Sequence, residues 1–105
     1  MNNDWYVYLI ECENGSLYTG MTNDLAKRLE RHKKGTGAKH TKIFGVKKIV
    51  YWENFSKRFE AMRRETEIKK WSKKNKEELI KNFANALPLA PEMKSQALGT
   101  AAIFT

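Results

Sequence analysis

Two polar residues in the segment 25–32 stand where an amphipathic helix normally carries apolar side chains. One helical stripe, at i, i+3, i+4 and i+7, contains Leu25, Arg28, Leu29 and His32. Guanidinium groups pair with oxyanions and imidazoles exchange protons near neutral pH, so these residue types are suited to chemistry. The structural alternative is that Arg28 extends its charged end to the surface and that His32 lies at the edge of the core.

A carboxylate occupies a comparable position further along the chain. Glu65 lies one helical turn from Met62 and from Ile68. An ionised carboxylate beside apolar neighbours is costly unless it is paired or binds a cation. Lys69 stands one turn later, so an ordinary surface ion pair is the alternative interpretation.

A β-hairpin is predicted at the start of the chain. Residues 5–11 and 17–21 are rich in aromatic and β-branched residues, and a turn signal separates them. We predict a three-residue loop over 13–15, because such loops commonly end in a left-handed residue and Gly15 is the third. The expected φ at Gly15 is therefore positive.

The length of this loop decides whether two tyrosines share a face of the sheet. Side chains alternate along a strand, so a two-residue turn would place Tyr8 and Tyr18 on opposite faces. A three-residue loop instead pairs Tyr8 with Gly20 and places both phenols on one side. We expect that side to meet Arg28 and Glu65.

In order and spacing, these residues resemble those of the GIY-YIG nuclease family. Tyr6-Val7-Tyr8 stands where the family has Gly-Ile-Tyr, and Tyr18-Thr19-Gly20 where it has Tyr-Ile-Gly. Arg28 follows ten residues after Tyr18, His32 comes one helical turn later, and Glu65 supplies the glutamate of a later helix.

The resemblance runs from about Trp5 to Phe83 and has two departures. Tyr6 replaces the first glycine of the motif, and Met21 replaces a lysine that some members carry. The segment 35–41 is similar to the Gly-x-Gly-Ala-Lys-x-Thr loop of small stand-alone bacterial members.

The resemblance implies hydrolysis of phosphodiester bonds at one divalent cation, Mg²⁺ or Mn²⁺. Glu65 is the implied protein ligand, since a hard cation that keeps several waters needs few carboxylates. Arg28 is implied to pair with phosphate oxygens, and His32 to assist proton transfer. Tyr8 or Tyr18 would position or deprotonate the attacking water, and which of the two is the base stays open.

The expected partner is nucleic acid, DNA in preference to RNA, recognised through its backbone or structure. Candidates for gripping the flanking phosphates are Lys33, Lys34, Lys39 and Lys42. Two other functions stay open at this point. One is a nucleic-acid-binding module on the same fold that does not cut, and the other is an interaction protein that docks through its apolar tail, Leu87 to Phe104.

The elements that must position these residues follow the order β-β-α-β-α-α. Strands are expected at 5–11, 17–21 and 47–53, a loop at 35–40, and helices capped by Asn23 or Asp24, by Ser56 and by Ser72. The fold class expected is α+β, a small three-stranded antiparallel β-sheet flanked by helices. We expect a nuclease-like domain over 1–83 and an appendage over 84–105, either a short helix from Pro91 to Leu98 or partly disordered.

The charge of the chain favours a polyanionic partner. The net charge is +8, and the basic residues are unevenly placed. Residues 27–48 contain nine Lys or Arg and one acidic residue, and residues 57–76 contain nine and three. Clustered cations gain affinity for nucleic acid by displacing counterions.

Several classes of protein are disfavoured by the sequence. The N-terminus lacks the pattern of a signal peptide, and no stretch is apolar enough to span a membrane, so we expect a cytoplasmic protein that does not bind membranes. The single cysteine, Cys12, cannot form an internal disulfide. Two histidines eight residues apart do not give the spacing of a zinc site.

Overall fold

The computed structural model describes residues 4–86 of the chain. In chain order the elements are β1 (Trp5–Cys12), β2 (Leu17–Thr22), α1 (Leu25–Lys33), α2 (Lys39–Phe44), β3 (Val46–Phe55), α3 (Arg58–Lys69) and α4 (Lys73–Ala86). The predicted α+β class is confirmed, as is a three-stranded antiparallel sheet flanked by helices. One element is added, since α2 begins within the segment 35–40 that was predicted to be a loop.

The sheet has the strand order β2-β1-β3, with β1 antiparallel to both neighbours. The hairpin has the predicted three-residue loop, closed by hydrogen bonds from Cys12 N to Ser16 O and from Gly15 N to Cys12 O, both of 2.9 Å. Gly15 has a φ of 85°, as predicted. Tyr8 consequently pairs with Gly20 in the register of β1 and β2.

The central strand is buried on both faces, and each face packs against a different helix. On one face Tyr8 and Ile10 contact Leu29 of α1. On the other face Val7 and Leu9 belong to the cluster that contains α3 and α4. α1, which carries Arg28, therefore packs on the face of Tyr8 as expected, whereas α3, which carries Glu65, packs on the other face.

The helix ends show which capping predictions were correct. Asp24 caps α1, with its carboxylate accepting from Lys27 N at 3.1 Å. Ser72 Oγ accepts from Asn75 N at 3.2 Å at the start of α4, as expected. Ser56 was predicted to cap α3, but the N-cap is Lys57. Because β3 continues to Phe55, the chain turns one residue later than predicted.

The last described helix ends at Ala86. The segment 87–105, including the helix expected from Pro91 to Leu98 and the apolar tail, lies outside the described residues. Among residues 4–86, no helix has the length and apolar character needed to cross a membrane. Cys12 is a buried free thiol.

Changing Gly15 to Ala should lower the free energy of unfolding by about 1 kcal/mol, because an L side chain is strained at positive φ. No packing effect confounds the test, since an added Cβ would meet only Lys73 Nζ, at 4.0 Å. Urea denaturation measures the effect. Gly15→Asn is the matched control, because asparagine tolerates this region, and an equal loss in both variants would contradict the explanation.

Candidate active site

A buried hydrogen bond joins the first strand to the first helix. Tyr8 Oη of β1 and His32 Nε2 of α1 are 2.7 Å apart, and each residue is 1% exposed. Space for the phenol exists because the register places Gly20 opposite Tyr8. A Cβ at Gly20 would lie 2.5 Å from Tyr8 Oη, so any larger residue there would displace the phenol.

The other side of His32 is held by the glycine-rich segment. His32 Nδ1 lies 2.7 Å from Thr41 Oγ1, and Thr41 is 1% exposed. The Thr41 hydroxyl donates to the carbonyl of Ala38 at 3.2 Å. Gly37 passes so close that a Cβ there would lie 2.6 Å from His32 Nδ1. The imidazole is therefore fixed on both of its nitrogens.

Arg28 lies one turn before His32 on the same stripe of α1. Its Nη2 donates to the carbonyl of Gly37 at 3.0 Å, while its buried Nε has no partner among the described residues. Interaction with the Tyr8 phenol raises the pKa of Arg28, which therefore stays charged. Arg28 also lines a polar cleft of about 260 Å³, together with Lys27, Arg31 and the acidic Asp24.

Tyr18 completes a group of rings on this face. Its ring centroid lies 5.0 Å from that of His32 and 6.4 Å from that of Tyr8. On its outer side it lies 5.8 Å from the ring of His40, whose Nε2 is 2.8 Å from Ser16 Oγ. The predicted placement of both phenols on one face of the sheet is confirmed.

The burial of the central pair sets its protonation. Burial raises the pKa of the Tyr8 phenol well above its ordinary range, and the charge of Glu65 adds to this effect. Burial, together with the positive charge of Arg28, lowers the pKa of His32 to about 4. At neutral pH, Tyr8 and His32 are therefore a neutral phenol and a neutral imidazole.

Glu65 stands apart from this hydrogen-bonded group. Its side chain is 19% exposed, and its carboxylate lies 3.5 Å from Lys69 Nζ on the next turn of α3. The surface ion pair that the sequence left open is therefore present. The negative charge of Glu65 adds a little to the raised pKa of Tyr8, whose main cause is burial.

The carboxylates of the described region do not cluster into a metal cage. Within residues 4–86 there is no group of three or more His, Cys, Asp or Glu side chains that could hold a metal ion. This excludes an all-protein cage there. A single carboxylate, such as that of Glu65, suits a hard cation that keeps most of its waters and shares phosphate oxygens with a substrate.

The comparison with known proteins decides the family. A family model described as the GIY-YIG catalytic domain matches residues 4–78. The chain belongs to the GIY-YIG family. The matched range contains every residue of the site described above, and Glu65 as well.

Small proteins of this family are similar to the chain over most of their own length. A UPF0213 protein of Staphylococcus saprophyticus is 47% identical over 75 residues, which cover 71% of this chain and 92% of the relative. A UPF0213 protein of Staphylococcus aureus is 43% identical over 76 residues, covering 72% and 93%. The solution NMR structure of a UPF0213 protein from Bacillus halodurans has 42% identity and a TM-score of 0.49, covering 74% of this chain and 83% of that one.

The sequence predicted most residues of this GIY-YIG site, but not the neighbouring residues that hold them or line the cleft. Residues predicted and brought together are Tyr8, Tyr18, Arg28 and His32, whereas Glu65 comes from a helix on the opposite face. The predicted phosphate-gripping lysines, Lys33, Lys34, Lys39 and Lys42, are all exposed. Thr41 and the cleft cations Lys27 and Arg31 were not singled out. Thr41 was visible as the last residue of the glycine-rich motif, and Arg31 as a cation one turn from Arg28.

Acid should destabilise this protein through His32. The pKa of His32 is lower in the folded protein than the ordinary value of 6.5, so the unfolded state binds the extra proton first and stability falls as pH drops from about 6.5 towards 4. Between pH 7 and pH 5 we expect a loss of about 2 kcal/mol from this residue alone.

Urea denaturation of the wild-type protein and of His32→Gln at both pH values isolates this contribution, because the carboxylates titrate in both proteins. The free energy of unfolding should fall more steeply in the wild type. Equal losses in the two proteins would show that His32 is not buried in its neutral form.

Proposed function

We propose that this protein is a metal-dependent endonuclease that hydrolyses phosphodiester bonds, in DNA rather than RNA, in cytoplasmic DNA repair or processing. The observation that supports it most is the neutral Tyr8–His32 pair, joined by a 2.7 Å hydrogen bond beside a charged arginine. A phenol next to an unprotonated imidazole nitrogen has a route for its proton.

Of the two tyrosines that the sequence left open as the general base, we propose Tyr8. In the reaction, Tyr8 Oη takes a proton from the attacking water as its own proton passes to His32 Nε2. The water oxygen forms a bond to phosphorus, the bond to the leaving oxygen breaks, and that oxygen takes a proton from solvent. Tyr8 keeps the proton taken from water, and His32 carries the former Tyr8 proton, which it loses to solvent afterwards.

Binding of a phosphodiester would make His32 a better base. The positive charge of Arg28 contributes to the low pKa of His32. A phosphate anion paired with Arg28 offsets that charge, so the pKa of His32 rises when substrate is bound. The relay is thus weak in the free protein and stronger in the complex.

Arg28 is the proposed partner of the scissile phosphate. Its Nε is buried without a partner within residues 4–86, although a buried donor is costly to leave unsatisfied. A phosphate in the cleft that Arg28 lines would pair with the guanidinium group. Because the guanidinium is already fixed by Gly37, it stabilises the charge that develops on phosphorus without reorganising.

Glu65 is the proposed ligand of the divalent cation, Mg²⁺ or Mn²⁺. When bound, such an ion supplies Lewis-acid stabilisation of the charge on the phosphate and on the leaving oxygen. The contact with Lys69 does not oppose this role strongly. The Lys69 side chain is 53% exposed, and exposed ion pairs are weak.

The substrate backbone is proposed to follow the cations of α1 and α2. Lys27 and Arg31 line the cleft next to Arg28, where they suit a phosphate adjacent to the scissile one. The exposed lysines Lys33, Lys34, Lys39 and Lys42 extend this basic surface. Contacts of this kind read the backbone and not the bases.

Changing Glu65 to Gln should abolish Mg²⁺-dependent cleavage while the protein stays folded and still binds DNA. Glu67→Gln is the matched control, since Glu67 lies on the same helix and pairs with Arg64 at the surface. The measurement is incubation with labelled duplex, flap, junction and single-stranded DNA, with and without Mg²⁺. Full cleavage by folded Glu65→Gln would overturn the ligand assignment, and binding without cleavage by the wild type would leave a non-cutting module.

Removal of one cleft cation should reduce the salt dependence of DNA binding. Lys27→Ala and Arg31→Ala should each lower the slope of log affinity against log salt by about 0.9, because one phosphate contact is lost. Fluorescence anisotropy over a range of salt concentrations measures the slope, with Lys81→Ala of α4 as the control. Unchanged slopes in both cleft variants would show that the backbone does not pass through this cleft.

A further inference from the structure

The segment 37–41 holds both of the polar residues of α1 that the proposed reaction uses. Gly37 accepts a hydrogen bond from Arg28 through its carbonyl and leaves room for His32 through its missing Cβ. Thr41 contacts His32 Nδ1. A loop that merely approached a phosphate would not need these buried contacts.

The hydrogen bond from Thr41 to Ala38 indicates which atoms of this network donate and which accept. A backbone carbonyl only accepts, so the single hydroxyl proton of Thr41 is used on Ala38 O. In this arrangement Thr41 Oγ1 accepts from His32, and Nδ1 carries the proton of the neutral imidazole. His32 Nε2 is left with a lone pair, which accepts from Tyr8 Oη.

We propose that Thr41 is a positioning residue that fixes His32 in its Nδ1–H tautomer, so that Nε2 is free to take the proton of Tyr8. The reverse tautomer would place a proton on Nε2, and Tyr8 would have no acceptor. Which ring nitrogen carries the proton is set by the partner of the other nitrogen. The proposal rests on the proposed nuclease function for its consequence in catalysis, but not for the tautomer itself.

The tautomer is measured directly by NMR on substrate-free protein with ¹⁵N-labelled histidine. Protonated and unprotonated ring nitrogens give well separated ¹⁵N signals, and a His40→Gln sample identifies those of His32. In the wild type at neutral pH we expect the proton on Nδ1. A proton on Nε2 in the wild type overturns the proposal, whether or not the protein cleaves DNA.

Two substitutions test the role of the hydroxyl. Thr41→Val keeps the shape of the side chain and removes the acceptor, so the Nε2–H form should become populated. We expect kcat to fall by about tenfold to a hundredfold, the loss typical of removing a residue that orients a metal-ligating histidine. Thr41→Ser keeps the hydroxyl and should retain the wild-type tautomer and most of the rate. Thr36→Val, at an exposed threonine of the same segment, is the control.

The possible results separate the proposal from the function on which it rests. An Nδ1–H tautomer in the wild type that Thr41→Val shifts supports the proposal, even if no substrate is cleaved. An unchanged tautomer in folded Thr41→Val contradicts it. If Thr41→Val does not fold, the wild-type tautomer and the rate of Thr41→Ser still decide, because a slow Thr41→Ser with the wild-type tautomer contradicts a positioning role.

Discussion

The buried hydrogen bond between Tyr8 and His32 is the constraint on which the site depends. A buried polar group without a partner costs about 1–3 kcal/mol, so neither ring can be displaced from the other without loss of stability. The chain of contacts continues from His32 to Thr41 and from Thr41 to the backbone of Ala38. One network therefore fixes the distances between β1, α1 and α2.

This network requires two glycines at points of close approach. Gly20 leaves the space that the Tyr8 phenol occupies, and Gly37 leaves the space beside the His32 ring. Neither has the positive φ that favours glycine at Gly15. Their role is therefore steric, and the same residue type serves a different purpose in the hairpin loop than in the site.

How far the sequence predicts this structure depends on the range of the interactions involved. The hairpin register, the Asp24 cap and the stripe that contains Arg28 and His32 were predicted, because each follows from residues close in sequence. Helix α2 was missed, since six residues without a side-chain cap carry no helical signal and are held by tertiary contacts. The contact of Thr41 with His32 was missed for the same reason, because it joins residues of two different elements. The face on which α3 packs is also set at long range, and the sequence did not predict it.

The acidic residues of α3 differ in a way that explains why Glu65 is the one suited to a cation. Glu60 accepts from Ser56, and Glu67 pairs with Arg64 at 2.7 Å. Arg64 also pairs with Glu53 of β3 at 3.1 Å, and Tyr51 donates to the same carboxylate.

This network of Arg64, Glu53, Glu67 and Tyr51 ties α3 to the sheet, and it occupies the carboxylate of Glu67. Among the described residues, Glu65 pairs only with the exposed Lys69, at 3.5 Å, and that lysine can move into solvent at little cost. A cation that displaced Lys69 would therefore leave the packing of α3 unchanged. Arg64 holds the helix to one face of the sheet, while the negative charge of Glu65 adds a little to the effect of burial on the pKa of Tyr8.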